Sequence, residues 1–397
     1  MVSWEFPPVI VGGLGRHVSD LANALSEQGH DVRVLTRGTA RHSVTESVDG
    51  VPVTRAADDE LDIGLAAESI LAWTQAFEHA LIRAGLQLLD AWRPDVIHAH
   101  DWLVAQTSRT LQGRCGAPLV VTMHATEYGR QQGWLQQPVP RAIHSVERWL
   151  CRRADRVIAC SRFMADQVAA IVDLAPGSVA IVGNGIDPAQ WKPAGADIEA
   201  ARRRYLTDGA TGPLIAFAGR LVHEKGLQEL IKALPLLRPD HPGLRAVVVG
   251  RGPDEDDQRD RAHRYQVADL ISWPGFLRTA ELAAVLGAAD VVVVPSLYEP
   301  FGMVALESQA VGTPVAVSDT GGLRDLVADG RTGVRFASKN PAAIADAVRT
   351  LLADPARTAT MAATARDHAR TRFSHASVAS RVAEIYSSVQ NAPSSTR

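Results

Sequence analysis

Cysteine is scarce in this sequence. There are three, Cys115, Cys151 and Cys160, at scattered positions and with no C-x-x-C pair. An odd, dispersed set excludes a disulfide framework of the kind that staples small secreted domains, and it lacks the paired spacing of a structural zinc site. The three residues read as small apolar fillers in a reducing compartment. Long apolar runs are missing as well: nothing approaches the roughly 20 residues needed to cross a bilayer. The chain opens with no basic segment followed by an apolar one. A cytoplasmic location is the expectation, with peripheral membrane contact left open. Nor does charge of one sign dominate: 41 Lys and Arg against 44 Asp and Glu leave a formal net charge of −3. The whole-chain balance therefore supplies no field for nucleic acid, and no nucleic-acid partner is expected. No repeat or low-complexity segment is present, and no G-x-x-x-x-G-K-[ST] loop, which excludes an ATPase of that type.

What is present is ordinary globular material, 46% hydrophobic and 21% charged over 397 residues, enough for two or three cores. Apolar, β-branched runs recur at 31–36, 96–100, 119–124, 156–160 and 179–182, and again at 214–218, 244–249, 291–295 and 314–318. Runs such as Val291-Val292-Val293-Val294 fit strands buried on both faces. Amphipathic segments lie between them, at 16–28, 226–237 and 341–352 among others. This alternation predicts an α/β fold of parallel sheets covered by helices. About eleven strands exceed the usual content of one doubly wound sheet. The break falls in the turn-rich 183–196, around Asn184-Gly185-Ile186-Asp187-Pro188. Two Rossmann-like lobes with a cleft between them follow, at 1–185 and at 196–372. A C-terminal helix at 373–390 is expected to pack back on the first lobe. Residues 391–397 are polar and expected to fray. Only Met1–Trp4 precede the Pro7-Pro8 turn, so either the first strand is short or the native start lies a few codons upstream.

Ligands of such sheets bind outside the carboxyl ends of the strands, so chemistry is sought there. Gly12-Gly13-Leu14-Gly15 follows the first strand and opens a helix, where free N–H groups suit a diphosphate; a tight turn is the plain alternative. Arg220 and Lys225 end the strand at 214–218 beside a helix start, where two cations would neutralise a diphosphate leaving group; solvated loop cations are the alternative. Glu299-Pro300-Phe301-Gly302 follows the all-valine strand, and Glu307 lies one to two turns into the next helix. Two carboxylates so placed accept hydrogen bonds from sugar and ribose hydroxyls. His98, His100 and Asp101 close one strand and His124 closes its neighbour. H-x-H-D has no settled metal spacing, and His98 is read as pointing into the sheet while His100 points to the cleft, so hydrogen bonding to a sugar or acceptor is favoured over a metal. The acidic run Asp254–Asp257 reads as a helix start rather than a metal motif.

Together these elements resemble the GT-B glycosyltransferases of family 4, the group that includes bacterial glycogen synthases, sucrose-phosphate synthases and α-mannosyltransferases. The resemblance runs from Ser3 to about Tyr386, and its most specific part is R-x₄-K with E-x₇-E, met by Arg220/Lys225 and Glu299/Glu307. The opening Ser3–Pro8, Gly12–Val18 and His98-Ala99-His100-Asp101-Trp102 look like the branch of actinobacterial α-1,4-glucosyltransferases. The resemblance implies a retaining hexosyl transfer, most simply of glucose from UDP-glucose or ADP-glucose to an α-1,4-glucan or related oligosaccharide, with no essential metal or other cofactor. It also implies roles: the lobe at 1–185 would bind the acceptor and the lobe at 196–372 the nucleotide sugar. Gly12, Gly13, Gly15 and Gly250 would line the donor, with Arg220 and Lys225 gripping its diphosphate. His124 would touch the hexose. Glu299 would hold its hydroxyls, helped by the N–H groups of Phe301, Gly302 and Met303. Glu307 would bind the ribose, Gly275, Phe276 and Leu277 would meet the base, and Asp101 would face the carbohydrate acceptor. Front-face attack, with lobe closure to exclude water, is the expected course and needs no enzyme nucleophile. The sequence departs from glycogen synthases at Ile10-Val11, where they carry the lysine of K-T-G-G, a change that bears on ADP-glucose specificity. The start of the last helix, Phe373-Ser374-His375, also departs, since the family often has an aromatic third residue there. A mannosyl- or N-acetylglucosaminyl-transferase making a glycolipid or small glycoside stays open, as does a non-catalytic sugar-nucleotide binding protein. A sugar-nucleotide epimerase would need acidic and histidine groups that find no place here. Oligomeric state is not legible.

Overall fold

In the computed structural model the described residues are 1–9, 13–57, 63–206 and 211–391. The chain divides into two compact units. Unit 1 comprises Met1–Gly185 together with His375–Arg397, and unit 2 is Ile186–Ser374.

Unit 1 is built on an eight-stranded sheet. Its strands are β1 (Val2–Ser3), β2 (Val34–Arg37), β3 (Val44–Val48), β4 (Val51–Ala56), β5 (Ile97–His100), β6 (Leu119–Met123), β7 (Arg156–Ala159) and β8 (Ala180–Ile181), in the spatial order β3-β4-β2-β1-β5-β6-β7-β8. Every neighbouring pair is parallel except β3–β4. That antiparallel hairpin turns at Asp49-Gly50, both at positive φ (48° and 85°), as a two-residue Asp-Gly turn requires. It was not foreseen, because β3 alternates polar residues and is exposed, unlike the apolar runs that mark the other strands. β1 is two residues long, yet it sits centrally, with Val2 opposite both Leu35 and Ala99.

Unit 2 carries a six-stranded, all-parallel sheet: β9 (Leu214–Ala218), β10 (Arg245–Val249), β11 (Ile271–Gly275), β12 (Val291–Val294), β13 (Val315–Ser318) and β14 (Val334–Phe336). The order β11-β10-β9-β12-β13-β14 is that of a dinucleotide-binding sheet. β11 and β14 are also additions to the expected set. β11 holds Trp273 and Pro274, and β14 is three residues long, so neither shows as a β-branched run. The four valines of β12 are at most 5% exposed, each removing from water a side chain worth roughly 1.5–3 kcal/mol of transfer free energy.

Each unit has its own core. In unit 2, Ile215, Phe217, Val248 and Val293 meet Leu230, Leu234, Ile344 and Val348 of two covering helices. In unit 1 the last helix, His375–Gln390, contributes Val378, Ala379, Val382 and Val389 to a cluster with Leu21, Ala24 and Leu25 of the helix Gly13–Glu27. The strand order reverses between β1 and β5 in unit 1, and between β9 and β12 in unit 2. These switch points leave a crevice at the carboxyl ends of the strands, where ligands of open α/β sheets bind. Among the described residues, no helix is long and apolar enough to cross a membrane.

Candidate active site

In unit 2 the switch-point strands end on loops that interlock through their backbones. β9 runs into Gly219 and Arg220, and a 3₁₀ turn at His223–Lys225 precedes the helix Leu227–Leu237. Gly226, at φ +73°, joins turn to helix; a Cβ there would lie 1.9 Å from the carbonyl oxygen of Pro295 at the end of β12. Only glycine allows that approach. Glu224 accepts the Leu297 N–H at 2.8 Å. The two loops are thereby held side by side, and Lys225 Nζ donates to Glu299 Oε2 at 2.8 Å. Ser296 Oγ donates to the same oxygen at 3.0 Å. Glu299 is 8% exposed. Arg220, exposed on the same loop, pairs with Glu224 at 3.3 Å. The loops after β10 and β11 are tied in as well. Gly250 N–H donates to Gly275 O at 2.9 Å, and Leu221 N–H to Arg251 O at 2.9 Å.

The remaining unit-2 residues named from sequence fall on these loops or the next helix. Gly302, at φ +112°, is the N-cap of the helix Met303–Val311, so Met303 is its first residue. That terminus presents unpaired N–H groups outward from the first turn. Glu307 is the fifth residue of the helix and half-buried. Phe301 is buried against Phe373, with ring centroids 5.7 Å apart. Gly275 ends β11, Phe276 stands out 68% exposed beyond it, and Leu277 is half-buried.

In unit 1 the ends of β5 and β6 carry a buried histidine group. His98 and His100 are two residues apart on one strand and so share a face, with ring centroids 4.2 Å apart. This corrects the expectation that they point in different directions. Both nitrogens of His98 are engaged, Nδ1 with Tyr386 Oη and Nε2 with Thr122 Oγ1, each at 2.7 Å. His100 Nδ1 lies 3.2 Å from His124 Nε2, while His100 Nε2 is buried without a hydrogen-bond partner among the described residues. His17, from the helix Gly13–Glu27, completes the group, its ring centroid 4.8 Å from that of His124. Burial, and then their mutual repulsion as cations, holds His17, His98 and His100 well below the ordinary imidazole range; burial lowers His124 to about 4. All four are neutral at physiological pH. His17 falls inside the stretch Gly12–Val18 singled out above, but nothing in the sequence joined it to His100 and His124, which lie 83 and 107 residues further on.

Asp101 follows β5 at φ +62°, a backbone conformation that side-chain-bearing residues adopt only when surroundings impose it. Its Oδ1 accepts the His124 N–H at 2.8 Å. Burial raises its pKa to about 6, opposed by Arg130 and by backbone N–H donors. The carboxylate thus holds the His124 main chain in place. Glu147 does the same one segment on: its Oε1 accepts the Glu127 N–H at 2.8 Å, and burial pushes its pKa up to about 8. Neither Ser296 nor Glu147 belongs to a motif, and both were missed. Of the glycines, Gly12 lies outside the described residues, as do Ile10-Val11 and residues 392–397. Gly13 is the exposed first residue of its helix. Gly15 is buried, and a Cβ there would stand 3.1 Å from Glu5 Cγ.

Residues 11–190 match the family model of Glycosyltransferase Family 4, and residues 199–368 match that of Glycosyl transferases group 1. The chain is 43% identical over 398 residues to the glycogen synthase of Mycobacterium tuberculosis, covering 97% of this chain and 93% of that one. It is 33% identical over 399 residues to a D-inositol 3-phosphate glycosyltransferase of Streptomyces avermitilis, covering 96% and 84%. Among solved structures, sucrose-phosphate synthase of Thermosynechococcus elongatus aligns with a TM-score of 0.83 at 24% identity over 98% of each chain.

Proposed function

From the premise that this chain belongs to the family 4 glycosyltransferases and has their GT-B fold, we propose that it is a glucan synthase: it transfers glucose from a nucleoside-diphosphate sugar to a hydroxyl of an α-1,4-glucan, with retention of anomeric configuration. The observation that carries the reading is the Lys225–Glu299 pair, at 2.8 Å, seated with Arg220 at the switch point of unit 2. A cation beside a carboxylate meets both needs of a sugar nucleotide. The carboxylate accepts hydrogen bonds from hexose hydroxyls, and the cations stabilise charge that develops on the departing diphosphate. Arg220, 69% exposed in its side chain, swings from Glu224 to phosphate at little cost, since exposed ion pairs are worth about 0–1 kcal/mol.

Retention without an enzyme nucleophile requires the leaving phosphate oxygen to take the acceptor's proton on the face it departs from. The work of the protein is then positioning and electrostatics. Gly13 and Gly15 of unit 1 and Gly250 of unit 2 are each assigned to the donor. His124, neutral and held through its main chain by Asp101, contacts the hexose, and Asp101 borders the acceptor. Phe301, Gly302 and Met303 supply N–H groups, Glu307 holds the ribose, and Gly275, Phe276 and Leu277 meet the base. The reaction runs without an essential metal, in the cytoplasm. The likeness to the mycobacterial glycogen synthase supports glucose and a glucan over other sugars. The likeness to the D-inositol 3-phosphate glycosyltransferase keeps a second reading, transfer to a small glycoside acceptor.

The test is nucleoside-diphosphate release from UDP-glucose, ADP-glucose, GDP-mannose and UDP-N-acetylglucosamine, with and without glycogen or maltooligosaccharides. Release from a glucose donor that depends on glucan is the expected result and names the base. Release that no glucan stimulates overturns the glucan assignment, and a signal from another donor transfers support to the small-glycoside reading.

A further inference from the structure

The histidine group of unit 1 has a second chemistry. His17, His100 and His124 each offer a ring nitrogen, and the three atoms lie within 4.8 Å of one another. His100 Nδ1 and His124 Nε2 are already 3.2 Å apart, close to the roughly 3.3 Å edge of a tetrahedron whose metal–nitrogen bonds are 2.0–2.1 Å. The third nitrogen needs to move in by about 1.5 Å at most to complete that geometry. His17 is carried on a helix and only half-buried, so a side-chain rotation supplies it. We infer that His17, His100 and His124 form a binding site for a borderline divalent metal ion, zinc in the first place, and that its occupancy inhibits the enzyme.

The surroundings favour a metal over mere packing, because they separate ligands from supports. His98 lies against His100, tilted by 34°, with both of its own nitrogens bonded to Tyr386 and Thr122, so it supports the ring without competing for the ion. Asp101 fixes the His124 main chain. These contacts hold one ligand ring and the backbone of another in place before any ion arrives. All-imidazole donors suit zinc, copper or nickel and not magnesium or calcium. With three protein ligands the fourth position stays open to water.

The inhibition rests on the functional reading above, since His124 is assigned there to the hexose; the binding itself does not. Tag-free, chelator-treated protein is titrated with Co(II) as a spectroscopic probe and with Zn(II) by calorimetry, without any donor. The expected result is one ion per chain with the visible d–d absorption of four-coordinate cobalt. His17→Ala and His17→Gln are then expected to weaken binding at least tenfold, since removing even an outer-shell partner of a metal site costs about 10–100-fold. Circular dichroism identifies which of the two variants is folded. Absence of a stoichiometric cobalt band in the wild type, or unchanged affinity in a folded His17 variant, overturns the site. In a separate arm, Zn(II) is added to the donor assay. Inhibition relieved by raising the nucleotide-sugar concentration and weaker in the His17 variant is expected, whereas full activity with the site loaded overturns the regulatory half. A protein inactive with every donor refutes the glucan reading and leaves the binding arm to stand or fall by itself.

Discussion

Lys225 stands where a cation is most effective, on a turn pinned by Gly226 against the end of β12 and 2.8 Å from Glu299. Replacing it with alanine removes one preorganised donor to the leaving group, which by analogy with other charge-stabilising donors lowers kcat by about 10²-fold or more. Steady-state kinetics with the productive donor checks this; an unchanged kcat removes Lys225 from the reaction. Glu147 makes a different prediction. Its pKa is raised to about 8 chiefly by burial, so the folded protein keeps a proton there that the unfolded chain releases near the ordinary glutamate value of 4.5. The stability this proton confers is complete below 4.5 and is lost as pH rises through 8. At roughly 1.4 kcal/mol for each pH unit over which the two states differ by one proton, the loss is on the order of a few kcal/mol. Glu147→Gln keeps an oxygen for the Glu127 N–H and does not titrate. Its melting temperature should therefore gain on the wild type between pH 5 and pH 8.5, and parallel curves would contradict the assignment. At this scale the sequence was informative where function compresses into short spacings, as in Arg220/Lys225 and Glu299/Glu307. It was mute where a side chain acts from far along the chain, as His17 and Glu147 do.

At the scale of elements, the unit-2 site depends on loops that approach backbone to backbone. Gly250 is the tightest case: at φ +134°, its Cβ would stand 1.8 Å from the carbonyl oxygen of Gly219. Gly250→Ala must displace the loop after β9 that carries Arg220. A loss of about 1–3 kcal/mol is expected from the backbone strain alone, together with most of the activity. Denaturant melts beside kinetics check this; a variant as stable and active as wild type would show that the loops are not coupled. The strands around this site were readable because both faces are covered, which forces continuous apolar runs such as Val291–Val294. β3 was not, since an edge hairpin with one exposed strand has no such constraint, and the one available signal, Asp49-Gly50, passed without notice.

Across the whole molecule, titration is unevenly distributed. Glu78, raised to about 7 by burial and anchored to the Thr107 N–H at 3.0 Å, lies in unit 1 with Glu147. Above about pH 7 an unfolded imidazole is already neutral, so the buried histidines add no slope there. The two glutamates do, and both lower stability as pH rises, whereas the buried Met1 amino group, lowered from 8.0 to about 5 by burial, raises it between those values. Hydrogen exchange corrected for intrinsic rates should show Pro138–Arg153 of unit 1 losing more protection in the wild type than in Glu147→Gln between pH 6.5 and 8.5, while Leu227–Leu237 of unit 2 behaves alike in both. Equal differences in both units would place the titration elsewhere. The two Rossmann-like sheets were themselves legible, because alternation of buried strands and amphipathic helices leaves few other arrangements.

Unit 1 is discontinuous in sequence: its final helix, His375–Gln390, belongs to a core begun at Leu21. The ribosome delivers the chain in order, at about 5–20 residues per second. Unit 2 is contiguous and has all its strands in hand while unit 1 still waits for its last helix. Until translation ends, Leu21, Ala24 and Leu25 have no Val378 or Val382 to cover them, so a truncated nascent chain presents an apolar stripe that only the completed protein hides.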